Sequence, residues 1–247
     1  MTGPDSQTHT LDDLTRKLRE IECSRTRQAA SEAAKSCCST GIEGLDRLLP
    51  GQGLPAGTLT EWLAGDGAGA GTLAFLTAAT RNKALDQAVV VIDPQRRWYA
   101  PAVSALRTRL TDTILICPDR PADALWAFEQ SLRCSAVAAT IGWCDRLHDL
   151  AFRRLKLAAE QGGGLGLLLR PETAIREPSW ADVRLRVEPL PTLPASPGRR
   201  VRVELLRCRG GFHGGDVQLL IDDDVSNSVH LVSELAPAMP LQPAVRA

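Results

Sequence analysis

The sequence predicts an α/β protein with a mostly parallel sheet, helices on both faces and an antiparallel C-terminal extension. Three observations predict it. First, short apolar runs alternate with amphipathic ones: AVVVID, APAVSALRTRL, TILIC, PADALWAFEQSLR, AVAATIGW, LHDLAFRRLKLAAEQ and GLGLLLR. Strands that are apolar throughout and separated by helices belong to a parallel sheet covered on both faces. Second, the pattern changes at PETAIREPSW. DVRLRVEPL, RRVRVELLRC and DVQLLID alternate polar and apolar residues and are joined by PTLPASPG and RGGFHGG, without helices. That predicts antiparallel strands with one wet face. Third, TLTEW runs through GDGAGAGT into TLAFLTAAT, a strand, a glycine loop and a helix in sequence.

Taken in order, the elements divide the chain into three parts. Residues 1–37 form an N-terminal amphipathic helix and linker, since Leu11, Leu14, Leu18 and Ile21 recur at helical spacing with Thr10 as N-cap. Residues 38–225 form the core. It opens on CCSTGIEGLDRLLPGQGLPAG, whose glycines and prolines predict short turns around one helical turn. The helix PADALWAFEQSLR carries Pro121 in its first turn, as proline prefers. Residues 226–247, ending in LAPAMPLQPAVRA, form a flexible tail or docking peptide.

Composition excludes several function classes. The 247 residues suit one domain with short appendages. Lys plus Arg and Asp plus Glu both number 29, so net charge predicts neither a strong nucleic-acid binder nor a membrane-surface binder. No apolar run approaches the roughly 18 residues of a membrane span. The polar first 25 residues contain no signal-peptide core, so the cytoplasm is the expected location. The seven cysteines form no C-x-x-C pair and no metal-ligand cluster, and several lie in apolar runs. They are expected to be free thiols serving as small core residues. No metal site is expected. Ser104 and His148 form no recognisable nucleophile–base set.

The glycine loop begins as a phosphate-binding loop and fails to finish as one. The working pattern is G-x-x-x-x-G-K-[ST]. Gly65 opens it, Ala70 stands where the second glycine belongs, Gly71 replaces the lysine, and Thr72 closes it. Gly65, Gly67, Gly69 and Gly71 still let backbone approach an anion. No side chain at Gly71 can supply the point charge that reaches the β- and γ-phosphates.

The stretch STGIEGLDRLLPGQGLPAGTLTEWLAGDGAGAGT is similar to the opening of RecA and RadA. It has T-G-x-x-x-L-D, a G-L-P turn, a strand with an acidic residue, and then the loop. The chain resembles the ImuA family more closely still, the RecA-related accessory proteins of bacterial mutagenic translesion synthesis, sometimes labelled SulA-like. GIEGLDRLLPGQGLPAGTLTEW, RPADALWAFEQSLRCSAVAATIG and VRVELLRCRGG carry that resemblance, which spans residues 39–222. It implies a RecA-like core with a degenerate Walker A loop. It also implies a non-hydrolysing accessory or scaffold role in the DNA-damage (SOS) response. The implied partners are an ImuB-like Y-family protein and an error-prone DnaE-type polymerase, with RecA as a further candidate.

Against the RecA pattern two carboxylates are also missing. Gln95 stands at the place of the water-activating Glu, after Asp93 ends its strand, and Gln cannot take a proton. Gly142 stands at the place of the Mg²⁺-linked Asp, with Asp145 three residues beyond, too far unless the strand bends. The expectation is therefore no catalytic residue, no cofactor, and a loop kept as a tight strand-to-helix turn. A nucleotide-binding switch of the RecA superfamily acting on DNA is the alternative. A SulA-like division inhibitor ranks last, since no residue specifically supports it.

Function is then expected at surfaces. RRWYAP places Arg96, Arg97, Trp98 and Tyr99 beyond a strand's carboxyl end, and these residue types are enriched at binding hot spots. RPETAIREPSWADVR offers Arg170, Arg176, Arg184 and the stacking aromatic Trp180 as contacts to single-stranded DNA, against a solvated or packed role. In GRRVRVELLRCRGG, Arg200 and Arg202 share one strand face and Arg207 and Arg209 the opposite one. That run reads either as a phosphate-facing edge or as an edge strand guarded by charge. Direct contact with DNA is left open.

Overall fold

The computed structural model describes residues 37–65, 67–106, 109–191, 198–209, 214–222 and 229–231. The expected helix over residues 11–22, and most of the expected tail, lie outside the described residues. Two short strands, β1 (Cys37–Cys38) and β2 (Leu54–Pro55), pair antiparallel around helix α1 (Glu43–Leu48). The main chain then runs β3 (Leu59–Ala64), α2 (Ala70–Leu85), β4 (Ala88–Ile92), α3 (Ala100–Ala105), β5 (Thr113–Ile116), α4 (Pro121–Arg133) and β6 (Val137–Trp143). It continues through α5 (Asp149–Gly162), β7 (Leu165–Pro171), β8 (Val183–Leu190), β9 (Gly198–Cys208), β10 (Asp216–Asp222) and β11 (Val229–Leu231). Among the described residues no helix is long and apolar enough to cross a membrane.

One nine-stranded sheet has the order β11-β10-β9-β8-β3-β7-β6-β4-β5. Strands β5, β4, β6, β7, β3 and β8 run parallel, and β9, β10 and β11 complete the sheet antiparallel. The α/β class is thus as expected, with one correction. The alternating pattern of DVRLRVEPL placed β8 in the antiparallel part, yet it pairs parallel with β3. Residues 172–182 carry the chain past β3, which lies between β7 and β8, so β8 meets its neighbour in the parallel sense. Its side chains alternate because only one of its faces is covered there. Residues 229–231, inside the expected tail, form β11.

The two faces are written into the strands. Trp62, Val89, Val91, Ile141, Leu167 and Leu169 pack with α1 and α2 in one core. Leu59, Val90, Ile92 and Leu168 pack with α4 and α5 in the other. The TGIEGLD opening is a fold device. Asp46 accepts bonds from Ser39 Oγ at 2.6 Å and from Thr40 N and Oγ1 at 2.8 and 2.7 Å, so one carboxylate fixes the turn into α1. Gly41 has a φ of 78°, and a Cβ there would meet Thr80 of α2.

The cysteines depart from expectation. Cys208 is buried, but Cys117 and Cys134 are exposed and the other described ones are half-buried. Cys117 and Cys134 follow β5 and α4 immediately, where the apolar run has ended at the surface.

Candidate functional site

Strand β3 ends at Ala64, and the loop after it turns the chain into α2. Gly67 and Gly69 hold φ of 74° and 88°, which explains glycine at both. Ala68 N donates to Gly65 O at 3.3 Å, and Leu73 N to Gly69 O at 3.2 Å. The first N–H groups of α2 lack intrahelical acceptors, as at every helix start, and face an open cavity of about 540 Å³. The loop from Gly67 to Thr72 forms one wall, and Arg97, Trp143, Asp145, Glu172 and Arg199 contribute others. The loop therefore lies at the carboxyl end of the sheet, with the start of α2 on the cavity wall.

Gly71, which stands where the phosphate-loop pattern has lysine, has open space around it, with nothing within 4 Å of a Cβ built there. Thr72 lines the cavity. Asp145, expected to lie too far unless the strand bends, lines the cavity just beyond the end of β6 at Trp143. Gln95 Nε2 donates to Asp145 Oδ2 at 3.0 Å, so the residue at the first expected carboxylate position meets an aspartate three residues beyond the second. Gly142 has its own packing reason, since a Cβ there would lie 2.5 Å from Phe128.

Beneath the cavity lies a buried ionic network. Glu61 is fully buried in β3 and holds Arg170 Nη1 and Arg184 Nε, each at 2.6 Å. Arg170 also reaches Glu177 at 2.6 Å and the carbonyl of Cys144 at 3.2 Å. Burial alone would lower the Arg170 pKa, but its hydrogen bonds to Glu61 and Glu177 raise it above the ordinary value. Both arginines are thus committed inside the protein, which removes Arg170 and Arg184 from the expected DNA contacts. Glu61 was the missed residue. Its signal was a carboxylate inside an apolar strand, with arginines at the end of GLGLLLR and within DVRLRVEPL.

The remaining candidates separate. Trp98 is half-buried, its ring lying 5.3 Å from Phe75, and its backbone N–H donates to Asp93 Oδ2 at 2.6 Å. Arg96, Arg97 and Tyr99 are exposed, and only Arg97 of these lines the cavity. Arg176 is exposed on the 172–176 turn. Trp180 sits in a different groove, bonded to Asp149, with the Arg153 guanidinium 4.5 Å from its ring centroid. Arg200 and Arg202 are not on an edge, because β9 is paired on both sides. Arg200 donates to Gln218 at 2.9 Å and Arg202 to Asp216 at 2.9 Å. A bulge shifts the register between Arg184↔Arg207 and Leu185↔Leu205. It turns Arg207 and Arg209 to the same side as Arg200 and Arg202, not the opposite one.

The fold and cavity define an α/β protein with a glycine-rich strand-to-helix loop on the wall of an open cavity. No family model matches the chain. It is similar to Protein ImuA of Caulobacter vibrioides, 30% identical over 233 residues that cover 85% of this chain and 94% of the relative. Strains NA1000 / CB15N and ATCC 19089 / CIP 103742 / CB 15 give the same match. The chain belongs to the ImuA family.

Proposed function

We propose that this chain is a non-hydrolysing, RecA-like accessory subunit of the mutagenic translesion DNA synthesis complex in the DNA-damage response. Its implied partners are an ImuB-like Y-family protein and an error-prone DnaE-type polymerase. The observation that carries the reading is ImuA-family identity over 94% of the relative, joined to a loop with glycine at the lysine position. Arg170, the buried cation on the cavity wall, is held by Glu61 and Glu177 and is not available to replace that lysine. The decisive experiments measure damage-induced mutation frequency after deletion of the gene, and co-purification of the ImuB-like protein with the affinity-tagged full chain. Unchanged mutagenesis together with no complex would sink this reading. Restoring the charge alone with Gly71→Lys should give no ATP turnover, since Gln95 cannot act as a base. Measurable turnover would reveal a carboxylate acting from elsewhere on the cavity wall.

A second reading, a nucleotide-binding switch, draws on one observation: Asp145, Thr72, Arg97 and Arg199 line a single cavity. It predicts a saturable, Mg²⁺-dependent rise in melting temperature with ATP, because a ligand of the native state stabilises by mass action. No shift up to millimolar nucleotide favours the scaffold reading.

A further inference from the structure

The outward face of the α4–α5 layer carries apolar surface that no described residue covers. Nine large apolar side chains are exposed among the described residues, and four of them, Trp126, Leu150, Leu157 and Trp180, belong to this side. Leu150 and Leu157 are 71% and 62% exposed, too open for the solvent face of an ordinary amphipathic helix. Leu150, Arg153, Arg154 and Leu157 follow at spacings of three and four, so they form one stripe, opposite the buried Phe152, Leu155 and Ala159. Trp180 flanks it on one side, under the Arg153 guanidinium. On the other side Arg154 bonds Glu129 of α4 at 2.6 Å, and Trp126 lies one turn before Glu129.

We propose that residues 10–22 of this same chain lie across that stripe. Their apolar residues fit it in number and spacing. Leu11 and Leu18, and Leu14 and Ile21, are each seven apart, as are Leu150 and Leu157. Seven residues of helix rise about 10.5 Å, so the ridges match in length. Asp12, Asp13, Glu20 and Glu22 border the apolar positions and outnumber Arg16, Lys17 and Arg19 by one, so the segment brings no excess of positive charge to Arg146 and Arg153, which have no carboxylate partner among the described residues.

The path of the chain favours this face. Cys37 and Cys38 pair with β2, and just beyond β2 Gly57 N donates to Gly163 O at 3.0 Å. Arg81 contacts both Cys38 and the Gly163 carbonyl. The described chain therefore begins beside the C-terminal end of α5, less than two turns from Leu157. Residues 23–36 reach about 46 Å when extended, against about 21 Å for the whole of α5.

The test uses the full chain with Leu157 replaced by the photo-cross-linking residue benzoylphenylalanine, which costs no core packing at an exposed position. Irradiation should give cross-links to residues 10–22, and a mixture of light and heavy isotope-labelled chains should give them only within one chain. Leu14→Glu with Leu18→Glu should remove the cross-link and increase acrylamide quenching of tryptophan fluorescence. Three outcomes overturn the proposal: no cross-link to residues 10–22, cross-links between differently labelled chains alone, or an unchanged yield in the double variant. The same probe at Tyr99, 66% exposed on the other side of the sheet, should not label residues 10–22, and equal labelling there also overturns it.

Discussion

Glu61 accepts hydrogen bonds from two guanidinium groups where water does not reach, with side-chain exposure of 0% for Glu61 and Arg170. Replacing it by the near-isosteric Gln keeps the volume and leaves two cations short of an anion. Glu61→Gln should therefore cost about 3–5 kcal/mol, read from the midpoint of a urea melt. A loss under about 1 kcal/mol would mean that Glu177 alone satisfies Arg170. Cys144 offers a second test at this scale. Burial pushes its thiol up to about 12. At pH 8 its thiolate fraction is then roughly a thousandfold below that of an ordinary thiol, so iodoacetamide should modify the exposed Cys117 and Cys134 first. The raised pKa has a linked effect on stability. The folded state holds the proton more tightly, so this contribution is complete below about pH 9 and is lost as pH rises toward 12.

Strands and helices obey sterics that composition hides. Gly142 in β6 looks like a vacated acidic position in the sequence, yet its absent side chain is what admits the Phe128 ring of α4. Gly142→Ala should cost about 1–3 kcal/mol by overpacking, whereas Gly71→Ala, in open space on the first turn of α2, should gain about 0.5–1 kcal/mol. Paired thermal melts compare the two, and a reversed order would contradict this packing. On β9, Arg202→Glu would put a fourth carboxylate among Glu188, Glu204 and Asp216, and should lower the melting temperature while leaving affinity for single-stranded DNA unchanged. A fall in DNA affinity would return that face to the candidate contacts.

The element scale is also where the sequence was most legible. AVVVID, TILIC, AVAATIGW and GLGLLLR each became a parallel strand, because continuous apolarity has few other uses at that length. PADALWAFEQSLR became α4 over the same residues. What period and propensity could not carry was partnership. Alternation in DVRLRVEPL told which side chains are buried but not that β8 would lie beside β3, more than 100 residues earlier in the chain. Nor could alternation foresee the bulge that turned Arg207 around. At the site the glycine loop was legible residue by residue, and Asp145 was not. A strand's length could be counted from AVAATIGW, but the turn after Trp143 depends on contacts made by other segments.

For the whole molecule the 29 basic and 29 acidic residues balance, and many of the described arginines are held in internal pairs. Arg170, Arg184, Arg186, Arg202 and Arg209 each meet a carboxylate within 4 Å. Among the described residues, DNA contact is left to the cations outside these pairs, so binding to single-stranded DNA through them should be weak and fade between about 50 and 200 mM salt. Fluorescence anisotropy checks this, and tight binding that persists at 200 mM would require a cationic surface that the described residues do not provide.

The strand order has a consequence in time. β3 is made early, but both its neighbours, β7 and β8, are made late. At about 5 to 20 residues per second a ribosome needs roughly 6 to 25 s to pass from Ala64 to Leu190. Until β7 is made, the carboxylate of Glu61 in β3 lacks both its arginines and the glycine turn is tethered to a strand with no partner. A ribosome stalled before β7 releases a fragment whose central strand has neither neighbour, and one stalled between β7 and β8 a fragment in which that strand is an open edge.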